Sequence, residues 1–409
     1  MKPALLATLF LSSIAVTLQA QPTSHWVGSW AASQQIPEPA NALPAEDLRD
    51  ATLRQIVHLS VGGTSLRIHL SNAFGTTDLR LTSVHVATPL KPDRSAIDPT
   101  TDRALLFSGS EEVVIPPGAE YISDAIQFPA KPLSDIAISL HLDTPPAQQT
   151  GHPGSRATSY VAAGNLVSAP ELTSAKKVDH WYFVSGVDVA SDGKAFAVVA
   201  LGDSITDGHG ATTNGNDRWP DILARQLQAN RSTQDVGVLN QGIGGNHLLT
   251  DGLGPNVLAR IDRDVLAQTA VRYVIVLEGI NDLGGLARRT GVTAEQHTAL
   301  VHRMTGAYEQ IVERAHAHGI KVIGATILPD TGSDYYHPEA SNEADRQKLN
   351  DWIRASGHFD AVVDLDKLIA DPKNPTHLLP AYDSGDHLHP DPAGYKVMGD
   401  AFTSSLFAK

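Results

Sequence analysis

At 409 residues the chain is too long for one ordinary domain, so two are expected. Apolar residues make up 42% and charged residues 19%, a balance that supports sizeable cores, while the net charge of -14 argues against nucleic acid or an anionic membrane as partner. The absence of cysteine excludes disulfides, a thiol nucleophile, thiolate zinc sites and lipid attachment through a lipobox cysteine.

The first predicted segment is a leader. Lys2 is followed by the apolar stretch Ala4 to Leu18, and Leu18-Gln-Ala20 ends in small residues suited to cleavage. That pattern predicts a secretory signal peptide over residues 1–20, with the mature chain starting near Gln21. The stretch is short for a membrane span. The expected setting is the periplasm or the medium of a Gram-negative bacterium.

From residue 21 to 190 the pattern has period two. Leu66–Leu70 and Ile136–Leu142 alternate, and further strands are predicted at Ile56–Val61, Val84–Ala87, Val113–Ile115 and Trp181–Val189. Turn signals at Gly62-Gly63, Asn72–Gly75 and Pro116–Gly118 separate them. Short alternating strands at that rhythm predict an all-β sandwich of antiparallel sheets. The polar, Gly-, Pro- and Ser-rich stretch 145–170 reads as a long surface loop. No catalytic constellation stands out here, so this region is expected to supply no chemistry of its own.

From 191 to 409 the strands become continuous apolar runs: Phe196–Leu201, Val236–Asn240, Tyr273–Glu278, Lys321–Leu328 and Ala361–Leu365. Amphipathic segments fit between and after them, at Trp219–Gln228, Val257–Gln268, Ala294–His318, Ser341–Ala355 and Ala393–Phe407. Strands buried on both faces and alternating with helices predict an α/β domain with a doubly wound parallel sheet. The linker Ser191–Lys194 is too short for free movement between the two parts.

Ligands of such sheets collect at the carboxyl ends of the strands, and four polar clusters fall there. Gly202-Asp203-Ser204 is either a plain turn or a strand-end serine awaiting a base. Asn240-Gln-Gly-Ile-Gly-Gly-Asn246 offers glycines that let backbone N–H groups approach a bound atom, or only a left-handed turn. Asn281, in Glu278-Gly-Ile-Asn281-Asp282, carries an amide able to donate to an oxyanion. In Asp386-His387-Leu388-His389-Pro390 a carboxylate three residues before an imidazole can accept from Nδ1 and leave Nε2 free as base, with His387 and His377 as competing histidines. Half a metal site is the alternative there, disfavoured by the absence of thiolates and by few neighbouring carboxylates.

Taken in order, serine, glycine, asparagine and Asp-x-x-His resemble the blocks of the SGNH (GDSL-type) hydrolases, over roughly residues 194–409. The resemblance implies a flavodoxin-like three-layer α/β/α domain with Ser204 as nucleophile, His389 as base and Asp386 orienting it. It further implies an oxyanion hole of the Ser204 N–H, Gly245 and Asn281, no metal and no cofactor. Ile205 stands where the signature has Leu, a conservative apolar change. Trp26-Val-Gly-Ser-Trp-Ala-Ala32 and Arg54-Gln-Ile-Val-His58 resemble the jelly-roll-like sandwich preceding the catalytic domain in a bacterial subgroup linked to acetyl esters on plant polysaccharides such as acetylxylan. Tyr335 and Tyr336, with Asn246, are candidate substrate contacts, exposed loop aromatics being the alternative for the tyrosines. The implied function is a secreted serine esterase for short acyl esters on carbohydrate, acting on a small-molecule or polysaccharide ester with no nucleic-acid or membrane partner. A broad aryl or lipid esterase and an inactive carbohydrate-binding protein are the rivals.

Overall fold

The computed structural model describes residues 25–191 and 193–407, so the expected leader over residues 1–20 lies outside the described residues. Within them, no helix is long and apolar enough to cross a membrane.

The amino-terminal region is built around two main antiparallel sheets packed as a sandwich, with two short antiparallel ladders, Leu79–Leu81 with Val113–Ile115 and Gly151–His152 with Trp181–Tyr182, beside them. One main sheet runs in the order Lys176–Val178, Ser159–Ala163, Ala51–Leu59, Ser134–Leu142, Ser83–Ala87, Arg103–Ala104. The other runs His25–Ala31, Val184–Ser191, Gly63–Ser71, with Glu120–Ile122 and Ile126–Ala130 both paired to the last of these. Alternation puts Leu53, Val57, Ile68, Leu70, Ile138 and Leu140 into the core. One expectation is corrected. The stretch 145–170 is not all surface loop, because Ser159–Ala163 pairs with Ala51–Leu59 as an inner strand and buries Ser159, Tyr160 and Val161.

Beyond Ser191 a five-stranded parallel sheet begins. Its strands are β1 (Phe196–Gly202), β2 (Val236–Gly242), β3 (Val271–Leu277), β4 (Lys321–Ala325) and β5 (Ala361–Val363). They lie in the order β2-β1-β3-β4-β5, the flavodoxin-like arrangement, with every neighbouring pair parallel. All seven residues of β1 are buried, which is why its sequence reads as an unbroken apolar run. The helices are α1 (Ser204–Asp207), α2 (Trp219–Gln228), α3 (Val257–Ile261), α4 (Ile280–Ala287), α5 (Ala294–Ala317), α6 (Ala340–Arg354), α7 (Leu365–Ile369) and α8 (Pro392–Ala401). The predicted helix Val257–Gln268 breaks into α3 and a π turn, Asp262–Leu266, and α8 gives way to a 3-10 turn at Ser404–Phe407.

The two parts share one continuous hydrophobic core. The outer strand His25–Ala31 lies against β2 so closely that a Cβ on Gly237 would come 2.0 Å from the Gly28 carbonyl oxygen. Only glycine lets two backbones approach in that way. Polar links fasten the same face: the Val238 N–H donates to Ser60 Oγ at 2.9 Å and the Gly28 N–H to the Thr269 carbonyl at 3.2 Å.

Candidate active site

The topology gathers the polar clusters at one end of the sheet. At the end of β1, a Cβ on Gly202 would sit 2.2 Å from Thr206 Oγ1 and 2.4 Å from the Leu277 carbonyl, so the chain can turn there only with glycine. Asp203 then caps α1, accepting the Ile205 N–H at 2.9 Å. Ser204 is the first residue of that helix, and its own N–H therefore has no intrahelical partner.

Ser204 Oγ lies 2.8 Å from His389 Nε2, and His389 Nδ1 lies 2.6 Å from Asp386 Oδ2. A carboxylate accepts only, so Nδ1 carries the imidazole proton and Nε2 is left to accept the serine hydroxyl. Asp386 is held in turn by the backbone N–H groups of His389 (2.8 Å) and Leu388 (3.0 Å) on its Oδ1. Burial opposes ionisation of Asp386, but the hydrogen bonds from the His389 ring and backbone outweigh it and hold the carboxyl well below the usual carboxylate range. A hydroxyl in this chain of contacts can pass its proton to the imidazole as the oxygen attacks.

Ser204, His389, Gly245, Asn281, Tyr335 and Tyr336 border one cavity of about 770 Å³. Gly245 adopts a left-handed conformation, with φ at 67°. Asn281 is buried near the start of α4, where Tyr336 Oη donates to its Oδ1 at 2.5 Å and its Nδ2 donates to the Asn246 carbonyl at 2.6 Å. Those partners fix which end of the amide is nitrogen and leave its second N–H for the cavity. Tyr336 is seated by Gly284, where a Cβ would lie 2.3 Å from the tyrosine ring. Tyr335 is exposed on the rim, with the Arg288 guanidinium 4.8 Å over its ring.

Asn246 differs from expectation. Its side chain is fully buried, donates to the Pro255 carbonyl and accepts from Arg260 Nε at 2.9 Å, so it braces the glycine loop and does not border the cavity. The competing histidines are also placed: His387 is bound to Asp383 at 2.6 Å and, with His377, borders a separate cavity of about 360 Å³.

Several residues that sequence reasoning missed surround the site. Arg260 is buried and donates to the carbonyls of Gly202 (2.9 Å) and Gln241 (2.7 Å), tying the ends of β1 and β2 together. Its charge is met by Asp264 at 3.0 Å, which also accepts from Ser33 of the amino-terminal region. Behind Ser204, burial pushes the Asp203 carboxyl up to about 7 and raises Glu278 well above its ordinary value. His209, five residues after Ser204, lies against the His389 ring with centroids 4.0 Å apart. Its nearness in sequence to the serine was the one available signal. His209, Asp386 and His389 bring ligand-type atoms within 4.8 Å of one another. His389 Nδ1 and Asp386 are already committed to each other, however, and the Arg156 guanidinium 3.3 Å from His209 Nδ1 disfavours a cation.

Residues 200–397 match the family model of the GDSL-like lipase/acylhydrolase family. No curated protein matches the chain. Among solved structures the chain is similar to a putative lipolytic protein of the G-D-S-L family from Desulfitobacterium hafniense DCB-2, at 24% identity over 50% of this chain and 96% of that one, with a TM-score of 0.38. It is similar also to the acetyl xylan esterase AlAXEase, at 20% identity over 52% and 100%, TM-score 0.39. A catalytic mutant of an acetylxylan esterase from Geobacillus stearothermophilus aligns at 20% identity over 51% and 92%, TM-score 0.36. The strand-end serine, its imidazole and the family match agree: the carboxyl-terminal half of this chain is a GDSL-like lipase/acylhydrolase domain, and the protein is an ester hydrolase.

Proposed function

We propose that the protein is an exported serine esterase that removes short acyl groups, acetyl above all, from carbohydrate esters. The observation that carries the reading is the unbroken contact chain Ser204–His389–Asp386 opening on a cavity. In the first half-reaction His389 Nε2 takes the Ser204 proton while Oγ bonds to the carbonyl carbon, and the carbonyl π pair moves onto oxygen. The Ser204 N–H, Gly245 N–H and Asn281 amide stabilise that oxyanion. Its collapse expels the alkoxide, which leaves with the proton from His389. Water then repeats the sequence on the acyl-serine and releases the acid.

Support for a polar alcohol comes from the cavity wall. Its rim carries Tyr335, Arg288, Asp334 and His247, groups that suit the apolar face and hydroxyls of a sugar ring. The amino-terminal resemblance points to the same substrate class. The test is turnover of p-nitrophenyl esters from acetyl to octanoyl beside acetylated xylan, with wild type and Ser204→Ala. The expected result is fastest turnover of acetyl, release of acetate from xylan, and a kcat for Ser204→Ala lower by roughly 10⁴-fold or more in a folded protein. Near wild-type turnover by that variant removes Ser204 as nucleophile, and preference for octanoyl removes the short-acyl reading.

A further inference from the structure

The loop 151–158 of the amino-terminal region reaches the edge of the active site. His152 Nε2 is 2.8 Å from Asp207 Oδ1 on α1, and a Cβ on Gly154 would collide with the same carboxylate, so the loop is pressed onto the helix that begins with Ser204. Arg156 follows, in a left-handed conformation unusual for a residue with a side chain (φ 49°). It is held there because the Asn214 N–H donates to its carbonyl at 2.8 Å, while Asn214 Oδ1 accepts the Thr158 N–H at 2.8 Å. Such backbone persists only where its surroundings over-determine it.

From that position Arg156 Nη2 lies 3.3 Å from His209 Nδ1. A guanidinium only donates, so Nδ1 accepts and a neutral His209 carries its proton on Nε2. Nε2 faces Asp386 Oδ2 at 3.8 Å, and the His209 ring tilts by 38° against His389 with centroids 4.0 Å apart. The His209 backbone is fixed from the other side, its carbonyl accepting Tyr395 Oη at 2.5 Å.

We propose that Arg156 and His209 form a positioning pair that holds the Asp386–His389 couple in line with Ser204, so that the amino-terminal region supplies a working part of the active site. The inference rests on the roles given above to Ser204 and His389. His209 blocks rotation of the His389 ring and presents an N–H to the carboxylate that orients it. Its neutrality matters, because His389 becomes positive as it takes the serine proton, and a second cation at 4.0 Å would oppose that. Burial, the His389 ring and Arg156 all push the His209 imidazole down, to about 4, against the opposite pull of Asp386 and Asp207.

The experiment uses the full chain with Arg156→Ala, Arg156→Lys, His209→Ala, the double variant and Ser204→Ala. Kinetics are measured on p-nitrophenyl acetate and acetylated xylan, and the histidine rings are followed by NMR between pH 4 and 8. Arg156→Ala should lower kcat about tenfold on both substrates with little change in KM, since a misplaced base slows every ester alike. His209 should then titrate closer to the ordinary histidine range. Arg156→Lys, which keeps a cationic donor, should recover part of kcat, and the double variant should be no slower than His209→Ala, because Arg156 acts through His209. Wild-type kcat in Arg156→Ala, or additive losses in the double variant, overturns the pair. If Ser204→Ala is inactive while Arg156→Ala matches wild type, only the pair fails; if Ser204→Ala turns over, the site reading fails with it.

Discussion

Tyr336→Phe isolates what fixes the Asn281 amide. The hydroxyl is the partner of Asn281 Oδ1 in a buried setting, and the other end of the amide keeps its bond to the Asn246 carbonyl. Removing the hydroxyl leaves one buried acceptor unpaired, at a cost of about 1–3 kcal/mol in stability. It also removes the contact that forces oxygen inward and nitrogen toward the cavity. The Asn246 bond still favours the productive orientation, so the oxyanion donor is weakened and not lost. Deleting an oxyanion donor outright costs roughly 10²–10³-fold in kcat, which puts Tyr336→Phe at about tenfold, with KM close to wild type. Steady-state kinetics on p-nitrophenyl acetate and urea unfolding read the two effects separately. A kcat as low as that of Asn281→Ala would mean that the Asn246 bond alone does not hold the amide in its productive orientation. An unchanged kcat alongside the stability loss would show that the amide is oriented without it, and the argument would be refuted.

Asn281→Ala should lower kcat by roughly 10²–10³-fold while KM holds; a raised KM with kcat intact would make Asn281 a ground-state binding residue. Asp203, with its folded pKa raised to about 7, binds its proton more tightly folded than unfolded, so its contribution to stability is present at low pH and is lost as pH rises through 7. Asp203→Asn keeps an acceptor for the Ile205 N–H and removes the titration, so the fall in Tm between pH 5 and 8 should flatten, with buried Glu278 and Asp330 leaving a residual slope. An unchanged Tm profile would sink that assignment. A chain beginning near Ser191 should be poorly soluble or unfolded, because it uncovers β2 and strips Asp207 and Asp264 of His152 and Ser33. A soluble truncation with wild-type kcat on p-nitrophenyl acetate would contradict both this and the Arg156 pair.

The parallel strands were legible because strands buried on both faces write themselves as apolar runs, and the first three polar clusters follow them directly. Ser204 stood out for that reason, and Asp386 and His389 because a carboxylate three residues ahead of an imidazole is a signal of its own. Other features escaped for physical reasons. Helix α4 contains Gly284-Gly285, poor helix formers, yet Gly284 is there to make room for the Tyr336 ring. The strand Ser159–Ala163 is hidden among residues typical of turns, and only its pairing with Ala51–Leu59 gives it away. Asn246 looked like a ligand-facing polar residue until Arg260, buried fourteen positions on, claimed its oxygen. Contacts such as Arg156–His209 span 53 residues and two sheets, and no periodicity encodes them.

The placement of Arg260 bears on why the sandwich is fused to the hydrolase so tightly. A buried guanidinium is tolerable only when its donors are met and its charge is balanced. Here the carbonyls of Gly202 and Gln241 and the Asn246 amide meet three directions, Asp264 supplies the charge, and Ser33 donates to that same carboxylate from the other region. The ends of β1 and β2 are thus held by an arginine whose counter-ion is partly satisfied from outside the parallel sheet. Ser204 lies two residues beyond one of those carbonyls and Gly245 four residues beyond the other. Geometry at the site therefore depends on the amino-terminal region by two routes, through Arg260 beneath the serine and through His152 and Arg156 beside it. A device meant only to capture polysaccharide would need neither route. Their presence argues that catalytic alignment depends on this interface, so that variants there should alter turnover of small esters as well as large ones.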